Sequence, residues 1–281
     1  RRIDAGKEAF ADLGDIRGSV EIMELDLASL ASVRRFAEAF LAKYDRLDGL
    51  VNNAGVMYPP KGKTEDGFET QFGINYLGHF LLTELLLDTL KASAPSRIVC
   101  VSSVAHAGMR GIYGEIDFDD LHFDKREYDP GVAYADSKLA IVLQALDLAR
   151  RLEGTGVSAF SVHPGWIRSN LVGGLTRFMQ NVLLRPFSGM LGTVSWFEGA
   201  QTSLHCLLDD DACLCQQFCA VVCVLGSCWT LQLSVDRILV QGSLQRPVRP
   251  QGVHRDPRGR HGHGAGHRLP ARLLRHHRGQ P

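Results

Sequence analysis

Hydrophobic positions over residues 1–211 follow two alternating patterns. Short runs rich in β-branched residues predict four strands, at residues 20–25, 47–51, 97–101 and 157–162. Longer stretches with apolar residues at helical spacing predict helices at residues 29–44, 68–90 and 132–152. Because strands that alternate with helices form βαβ units, the predicted fold class is α/β with a doubly wound parallel sheet.

The pattern ends after residue 211. A cysteine-rich apolar patch follows, and then a stretch of Arg, His, Gly and Pro without helical or strand periodicity. We therefore predict a folded domain over residues 1–211 and a tail over residues 212–281 that is either disordered or read in a shifted frame. The spacings of the cysteines do not match the C-x₂-C pairs of structural zinc, so no metal is expected.

Charge and cysteine content exclude several classes of protein. The 31 basic and 31 acidic residues cancel, but residues 242–281 carry nine Arg and one Asp, hence +8 against −8 for the rest. An acidic domain does not favour nucleic-acid binding, so no such partner is expected, although a basic-tail interaction remains an alternative. An odd total of seven cysteines indicates an intracellular protein, either cytoplasmic or associated with the endoplasmic reticulum.

Tyr134 and Lys138 stand four residues apart in the string YADSK, on the predicted helix at residues 132–152. This spacing places both side chains on one face, where they can act on one atom. A tyrosine with its usual pKa near ~10 transfers protons poorly at neutral pH, and a nearby ammonium favours the phenolate. The same spacing is common on any helix surface, so the pair alone is weak support for catalysis.

Two further motifs follow predicted strands. Ser102 and Ser103 end the run RIVCVSS, and NNAG at residues 52–55 ends the preceding strand. The carboxyl ends of parallel strands are where α/β sheets place ligands. A serine there can hold a substrate oxygen, and a glycine permits the backbone to approach a cofactor closely. Both motifs are also ordinary turn sequences when they stand alone.

Together these motifs resemble the short-chain dehydrogenase/reductase family. The strings NNAGV, FGINYLGHFLLT, RIVCVSSVAH, YADSKLA and SVHPGWIRSNL occur in the order and spacing of that family. The string DFDDLHFDKREYDPGVAYADSKLA resembles the branch that holds the retinol dehydrogenases and the WW-domain-containing oxidoreductase. The resemblance runs from about Arg1 to Asp211 and implies a Rossmann-type sheet and hydride transfer with a nicotinamide cofactor.

The resemblance implies a role for each matched catalytic position. Asn75 would hold a water that links the active-site lysine to solvent, and Ser103, rather than Ser102, would orient the substrate. Tyr134 would be the general acid and base. Lys138 would lower the pKa of Tyr134 and bind the nicotinamide ribose.

The resemblance also implies a set of cofactor contacts, which includes Asn75, Tyr134 and Lys138. The further positions are Asp26, Leu27, Asn53, Ala54, Gly55, Pro164, Gly165, Ile167 and Ser169. Arg1 and Arg2 stand near the place where an arginine of the family meets the 2′-phosphate of NADP, so NADP is expected, with NAD as the alternative. A solvated arginine pair explains them equally well.

Two departures from the family pattern lead to further expectations. The Gly-rich turn TGxxxGxG, which holds the cofactor pyrophosphate, would precede Arg1, so the sheet is expected to lack its first strand and helix. A membrane anchor could also precede Arg1. The alternative to an enzyme is therefore a catalytically incompetent fragment or scaffold. The expected substrate is an apolar alcohol or carbonyl compound, such as a retinoid, a steroid or a lipid aldehyde.

Overall fold

The computed structural model describes residues 3–11, 18–108, 111–167, 193–209, 220–224 and 227–229. All of them belong to the first of two compact units, Arg1–Arg237. The second unit, Ile238–Pro281, lies outside the described residues, as do Arg1 and Arg2. The fold described is accordingly that of the first unit.

Helices and strands alternate along this unit. The helices are α1 (Ile3–Ala11), α2 (Leu30–Leu41), α3 (Gly78–Ala92), α4 (Pro130–Arg151) and α5 (Trp196–Leu208). The strands are β1 (Gly49–Asn52), β2 (Ser96–Val101), β3 (Val157–Val162), β4 (Trp166–Ile167), β5 (Thr193–Val194), β6 (Ala220–Val224) and β7 (Ser227–Trp229). A π-helical segment at Phe72–Leu77 leads into α3, and a 3₁₀ helix spans Val104–Ala107. Among the described helices, none has the length and hydropathy needed to cross a bilayer.

The central sheet has the strand order β1-β2-β3-β6-β7. The first four of these strands run parallel, whereas β7 pairs antiparallel with β6. α3 lies between β1 and β2 in the chain and α4 between β2 and β3, so each helix serves as a crossover between parallel neighbours. β4 and β5 form a separate two-stranded sheet. The predicted parallel α/β architecture is confirmed.

β2 is buried on both faces, because successive side chains of a strand point to opposite sides of the sheet. On one face Ile98 packs in a cluster with Leu148 of α4. On the other face Val99 packs with Phe160 of β3 and Cys206 of α5. Helices therefore cover both faces of the sheet, which is the doubly wound arrangement of the Rossmann type.

The three predicted helices are confirmed, with shifted ends. Ser29 caps α2, and its Oγ accepts a hydrogen bond from Ser32 N at 3.4 Å. α4 begins at Pro130 rather than at residue 132, because the carboxylate of Asp129 caps it by accepting from Gly131 N at 2.7 Å. An acidic cap followed by proline at the first helical position is a strong start signal.

Residues 20–25, which were predicted to form a strand, carry no regular secondary structure. This part of the prediction is wrong. The run has the β-branched composition of a strand, but a strand also needs a neighbour for its backbone N–H and C=O groups. No strand of the described residues pairs with it.

The sheet continues into the range predicted to be an irregular tail. Within residues 212–281 the structure describes β6, which pairs in parallel with β3, and β7. Periodicity gave no sign of these strands, but a short run with several valines can become a strand where a neighbour offers a parallel edge. The assignment of residues 212–281 to a tail outside the family domain remains a prediction.

Candidate active site

Tyr134 and Lys138 lie one turn apart on α4, and both side chains are buried. Lys138 Nζ lies 5.6 Å from the centre of the Tyr134 ring. The same Nζ donates a hydrogen bond to Val101 O at 2.9 Å, at the carboxyl end of β2. The helix therefore holds both side chains at the edge of the sheet where parallel strands place ligands.

The two serines that follow β2 have different partners. Ser102 Oγ donates to Lys138 O at 2.8 Å, which ties this serine to the backbone of α4. The Ser103 side chain lies near that of Tyr134, and its hydrogen bonding lowers the pKa of the phenol. It also accepts from Ala105 N at 3.2 Å as the cap of the 3₁₀ helix. Of these two hydroxyls, only that of Ser103 lies against the phenol.

Asn75 is fully buried and ties the loop after β1 to α4. Its Oδ1 accepts from Val56 N at 2.8 Å, and its Nδ2 donates to Val56 O and to Ser137 Oγ, both at 3.0 Å. Ser137 Oγ in turn donates to Tyr134 O at 2.7 Å. His79 Nδ1 lies 2.9 Å from Asn75 O and donates to it, because a carbonyl oxygen can only accept. The side-chain amide is thus used on protein atoms, and a water held by Asn75 remains a prediction.

Burial dominates the titration of both active-site groups. It raises the pKa of Tyr134 to about 12, while the hydrogen bond with Ser103 opposes the rise. Burial also lowers the pKa of Lys138 to about 8. The lowering of the Tyr134 pKa by Lys138, expected from the sequence, does not dominate in this structure. The reason is geometric, since the ammonium donates to Val101 O rather than to the phenol.

The segment Asn53, Ala54 and Gly55 follows β1 at the same edge of the sheet. Asn53 and Ala54 are exposed, and Gly55 is half-buried. A Cβ added at Gly55 would lie 3.1 Å from Asn75 Oδ1 and 3.9 Å from Lys138 Nζ. The missing side chain therefore keeps open the space beside the lysine, which fits the approach of a flat ring or a ribose.

Asp26 and Leu27 lie just before α2, and Leu27 packs against the start of α3. Asp26 Oδ1 accepts from Ala28 N at 2.9 Å, which fixes the turn. A Cβ added at Gly78 would come within 2.6 Å of Leu27 O, so only glycine permits this close packing. The two residues are thereby held next to the helix that follows Asn75, in keeping with a place at one end of the site.

The loop after β3 carries the remaining cofactor positions. Pro164, Gly165 and Ile167 are half-buried, and Gly165 has φ +83°, a conformation that favours glycine. A Cβ added at Gly199 of α5 would lie 2.2 Å from Ile167 Cδ1, so α5 packs closely on this loop. Ser169, the last predicted cofactor contact, lies outside the described residues.

Similarity to known proteins agrees with this arrangement. A family model described as short chain dehydrogenase matches residues 1–114. Retinol dehydrogenase 12 of Homo sapiens is 53% identical over 210 residues, which are 74% of this chain and 63% of the relative. Retinol dehydrogenase 13 of Homo sapiens is 55% identical over 162 residues, which are 56% of this chain and 47% of the relative. Over these residues the chain is similar to short-chain dehydrogenases and spans less than two thirds of the length of the relatives it matches.

Solved structures resemble this chain as well. A Mycobacterium paratuberculosis protein of uncharacterized function is 43% identical, with a TM-score of 0.50, over 59% of this chain and 57% of that chain. The 3-oxoacyl-[acyl-carrier protein] reductase of Brucella melitensis, solved in complex with NAD, has a TM-score of 0.53 at 22% identity. It covers 74% of this chain and 78% of that chain. The second likeness supports the fold alone.

Four residues of this site, all buried or held in a constrained conformation, were not indicated by the sequence alone. They are Tyr58, Gln71, His79 and Ser137. Ser137 had a usable signal, because a serine three residues after Tyr134 lies on the same buried helical face. Tyr58 and Gln71 had none, because their partners are distant in the chain and meet only in the folded protein. His79 binds Asn75 O four residues earlier, but helical spacing alone did not single it out.

His79 gives a prediction for acid stability. Burial lowers its pKa from 6.5 to about 4, so the folded chain takes up this proton later than the unfolded chain does. The free energy of unfolding should therefore fall as pH drops from 6.5 to 4, by about 3 kcal/mol for this histidine. His79→Asn should lose that share of the pH dependence in urea unfolding curves.

Burial also lowers the pKa of His163 to about 4. Its contribution to the pH dependence of the free energy of unfolding should therefore remain in the His79→Asn variant. Equal losses of stability in the wild-type chain and in the variant over this pH range would contradict the assignment.

Proposed function

We propose that this chain is an oxidoreductase that transfers a hydride between a nicotinamide dinucleotide and the reacting carbon of an apolar alcohol or carbonyl compound. The observation that carries the proposal is the convergence of Ser103, Tyr134 and Lys138 at the end of β2, with Asn75 bonded to the same stretch of α4. Similarity to short-chain dehydrogenases supports it, because these proteins are oxidoreductases. The non-catalytic scaffold gains no support from the similar proteins.

The roles of the side chains follow from their protonation states. In carbonyl reduction the Ser103 hydroxyl donates to the substrate oxygen, and Tyr134 Oη gives that oxygen its proton. With a pKa of about 12 the phenol is protonated at neutral pH, as this direction requires. In alcohol oxidation Tyr134 must take the proton, so this direction gains from higher pH and from a cation near the phenol.

A nicotinamide dinucleotide would supply the hydride acceptor or donor. The residues present fit its nicotinamide ribose, because Lys138 is a buried cation and the space beside it is kept open by Gly55. The ammonium has three N–H donors, one of which is used on Val101 O. Lys138 would donate to this ribose, and its positive charge near the phenol would favour the phenolate of Tyr134.

NADP is the proposed dinucleotide, with NAD as the alternative. The support for NADP is the resemblance at Arg1 and Arg2, which lie outside the described residues. An arginine fork suits a 2′-phosphate, whereas NAD presents only a hydroxyl at that position.

The proposed substrate class is retinoid, steroid or lipid aldehyde. It rests on the named relatives, which are retinol dehydrogenases, although this chain spans only 63% and 47% of their lengths. Exposed Trp196 and Phe197 on α5 add apolar surface to the segment 166–197, most of which lies outside the described residues. An intracellular location and the absence of a nucleic-acid partner remain predictions.

The neighbouring serines provide a matched test. Turnover of retinal with NADPH can be monitored by the loss of the absorbance of reduced nicotinamide. In this assay Ser103→Ala should lower kcat by about 10²-fold, because it removes one preorganised hydrogen-bond donor. Ser102→Ala should lower stability by about 1 kcal/mol through the lost buried hydrogen bond, with a much smaller effect on kcat.

Equal effects of the two serine substitutions on kcat would contradict the assignment of the substrate-orienting role to Ser103. No turnover of retinal, a ketosteroid or a lipid aldehyde with either dinucleotide would contradict the proposed function itself.

A further inference from the structure

Gln71 is fully buried, and its side-chain amide joins three parts of the chain. Its Oε1 accepts from Tyr58 N at 3.0 Å, in the loop after β1. Its Nε2 donates to Pro130 O at 2.9 Å, in the first turn of α4, and to Tyr128 OH at 3.2 Å. The oxygen and both N–H donors of the amide are thus used, so the side chain is held in one orientation.

Glu69 fixes the backbone that carries this amide. One carboxylate oxygen accepts from Gln71 N at 2.9 Å and from Tyr128 OH at 3.1 Å, and the other accepts from Phe72 N at 2.7 Å. A buried carboxylate is tolerated when such hydrogen bonds satisfy it. Because Tyr128 donates its proton to Glu69, its oxygen must accept from Gln71, in agreement with the orientation of the amide.

Tyr58 is held in an uncommon conformation. Its φ of +55° lies in the left-handed region, where a residue with a side chain is disfavoured by roughly 1–2 kcal/mol. The hydrogen bond from its N–H to Gln71 offsets part of this strain. The Tyr58 ring meets the Tyr134 ring edge-on, with the ring centres 6.0 Å apart and the planes at 82°.

We propose that Gln71 is a positioning residue for Tyr134. With the two ends of one amide it holds Tyr58 N and Pro130 O, and so it sets the Tyr58 ring against Tyr134 and anchors the start of α4. The inference rests on the proposed role of Tyr134 as the proton-transferring group. It goes beyond that role by naming a buried residue, distant from the reacting atoms, that determines the position and orientation of the Tyr134 side chain.

The location of Tyr134 explains why such help is needed. It stands in the second turn of α4, close to a helix end where hydrogen bonding is incomplete. Proton transfer requires heavy atoms within ~2.6–3.2 Å of each other. A misplacement of about 1 Å can lower a rate by about 10²-fold. An edge-on ring and a tethered first turn remove the two motions, ring tilt and helix fraying, that would move the Tyr134 hydroxyl.

A spectroscopic test reads the position of Tyr134 without any turnover. The chain has six tyrosines, so labelling them with ¹³C at Cζ gives few resonances, and Tyr134→Phe identifies the one that matters. Tyr58→Ala should shift this resonance because a neighbouring ring is lost, whereas Tyr58→Phe should keep it near the wild-type value. Gln71→Met, of similar length but without hydrogen bonds, should shift it in the same direction as Tyr58→Ala.

Combining the substitutions tests whether they act through one contact. The double variant Gln71→Met with Tyr58→Ala should shift the resonance by less than the sum of the two single shifts, because both substitutions remove the contact of the Tyr58 ring while only Gln71 anchors Pro130 O. Gln144→Met is the matched control, because Gln144 is also a buried glutamine, and lies on α4 itself. Should Gln71→Met fail to fold, Gln71→Asn serves instead, since its amide is one methylene too short to reach both Tyr58 N and Pro130 O.

Kinetics then show whether the position matters for the reaction. In the full chain Gln71→Met and Tyr58→Ala should each lower kcat by about tenfold, with little change in the KM of the dinucleotide. The double variant should lose clearly less than the roughly hundredfold expected of independent sites, because the two substitutions share the contact of the Tyr58 ring with Tyr134.

An unshifted Tyr134 resonance in Gln71→Met, beside a shifted one in Tyr58→Ala, would overturn the inference. So would a shifted resonance together with an unchanged kcat in an active chain. If the wild-type chain turns over no alcohol or carbonyl compound, the proposed function fails, while the resonances still decide whether Gln71 positions Tyr134.

Discussion

Replacing Tyr134 with phenylalanine is expected to lower kcat for carbonyl reduction by about 10²–10⁴-fold, the usual contribution of a general acid. The substitution removes one oxygen from a buried ring and leaves the ring contact with Tyr58 in place. Ser103 then loses its partner on α4 but can still hold the substrate oxygen. Turnover of retinal with NADPH measures the loss, and quenching of protein fluorescence by NADPH measures dinucleotide binding, which should change far less.

Tyr76→Phe is the matched control for this substitution. The Tyr76 ring packs against Phe72 and Phe80, in the π-helical segment and the start of α3. Its hydroxyl has no part in the proposed reaction. Its kcat should stay within about twofold of the wild-type value, as is common for substitutions away from a site. If Tyr134→Phe behaved like Tyr76→Phe, the assignment of the acid and base to Tyr134 would be wrong.

Lys138→Met is expected to lower kcat by about 10²–10³-fold, the usual effect of removing a preorganised donor from an active site. It should also weaken dinucleotide binding, because the proposed contact with the ribose is lost. Lys91→Met, which removes an exposed lysine of α3, is the control and should leave both quantities near the wild-type values. Equal dinucleotide affinity in the wild-type chain and in Lys138→Met would contradict the ribose contact.

The same substitution should change how stability depends on pH. Burial lowers the pKa of Lys138 from 10.5 to about 8. Between pH 8 and 10.5 the unfolded chain therefore holds a proton that the folded chain has lost. The free energy of unfolding should rise with pH across this window by about 3 kcal/mol relative to Lys138→Met, and the difference should be constant below pH 8.

Other buried groups act in the opposite direction at alkaline pH. Burial raises the pKa of Cys100 to about 11 and that of Tyr134 to about 12, which lowers stability as pH rises. Both groups are present in the two chains, so the difference between urea unfolding curves reports Lys138 together with its interaction with Cys100. If the free energies of unfolding of the wild-type chain and of Lys138→Met changed in parallel from pH 7 to 10, Lys138 would not be buried as described.

Much of the fold could be predicted because it depends on local patterns. β2 contains the apolar run at residues 98–101, β3 is rich in apolar residues, and α4 carries a long amphipathic pattern, so each was found from its own residues. The run at residues 20–25 has the same local composition, yet it is not a strand. β6 shows the converse, since its short run becomes a strand beside β3. In both cases a neighbouring strand determines whether the run forms a strand, and a local sequence pattern carries no information about that neighbour.

The sequence by itself determined which candidate catalytic residues are present. It also determined that Tyr134 and Lys138 share one face of a helix. It also named Ser103 over Ser102 through a resemblance, without a physical reason. Only the tertiary structure distinguishes the two hydroxyls, because that of Ser102 is bonded to the backbone of α4, whereas that of Ser103 lies near Tyr134. The role of Ser103 remains a prediction. Burial, which depends on all the packed elements together, likewise reversed the expected shift of the Tyr134 pKa. The contact of Gln71 with Tyr58 and Pro130 is of the same kind, since folding brings together residues that are far apart in the chain.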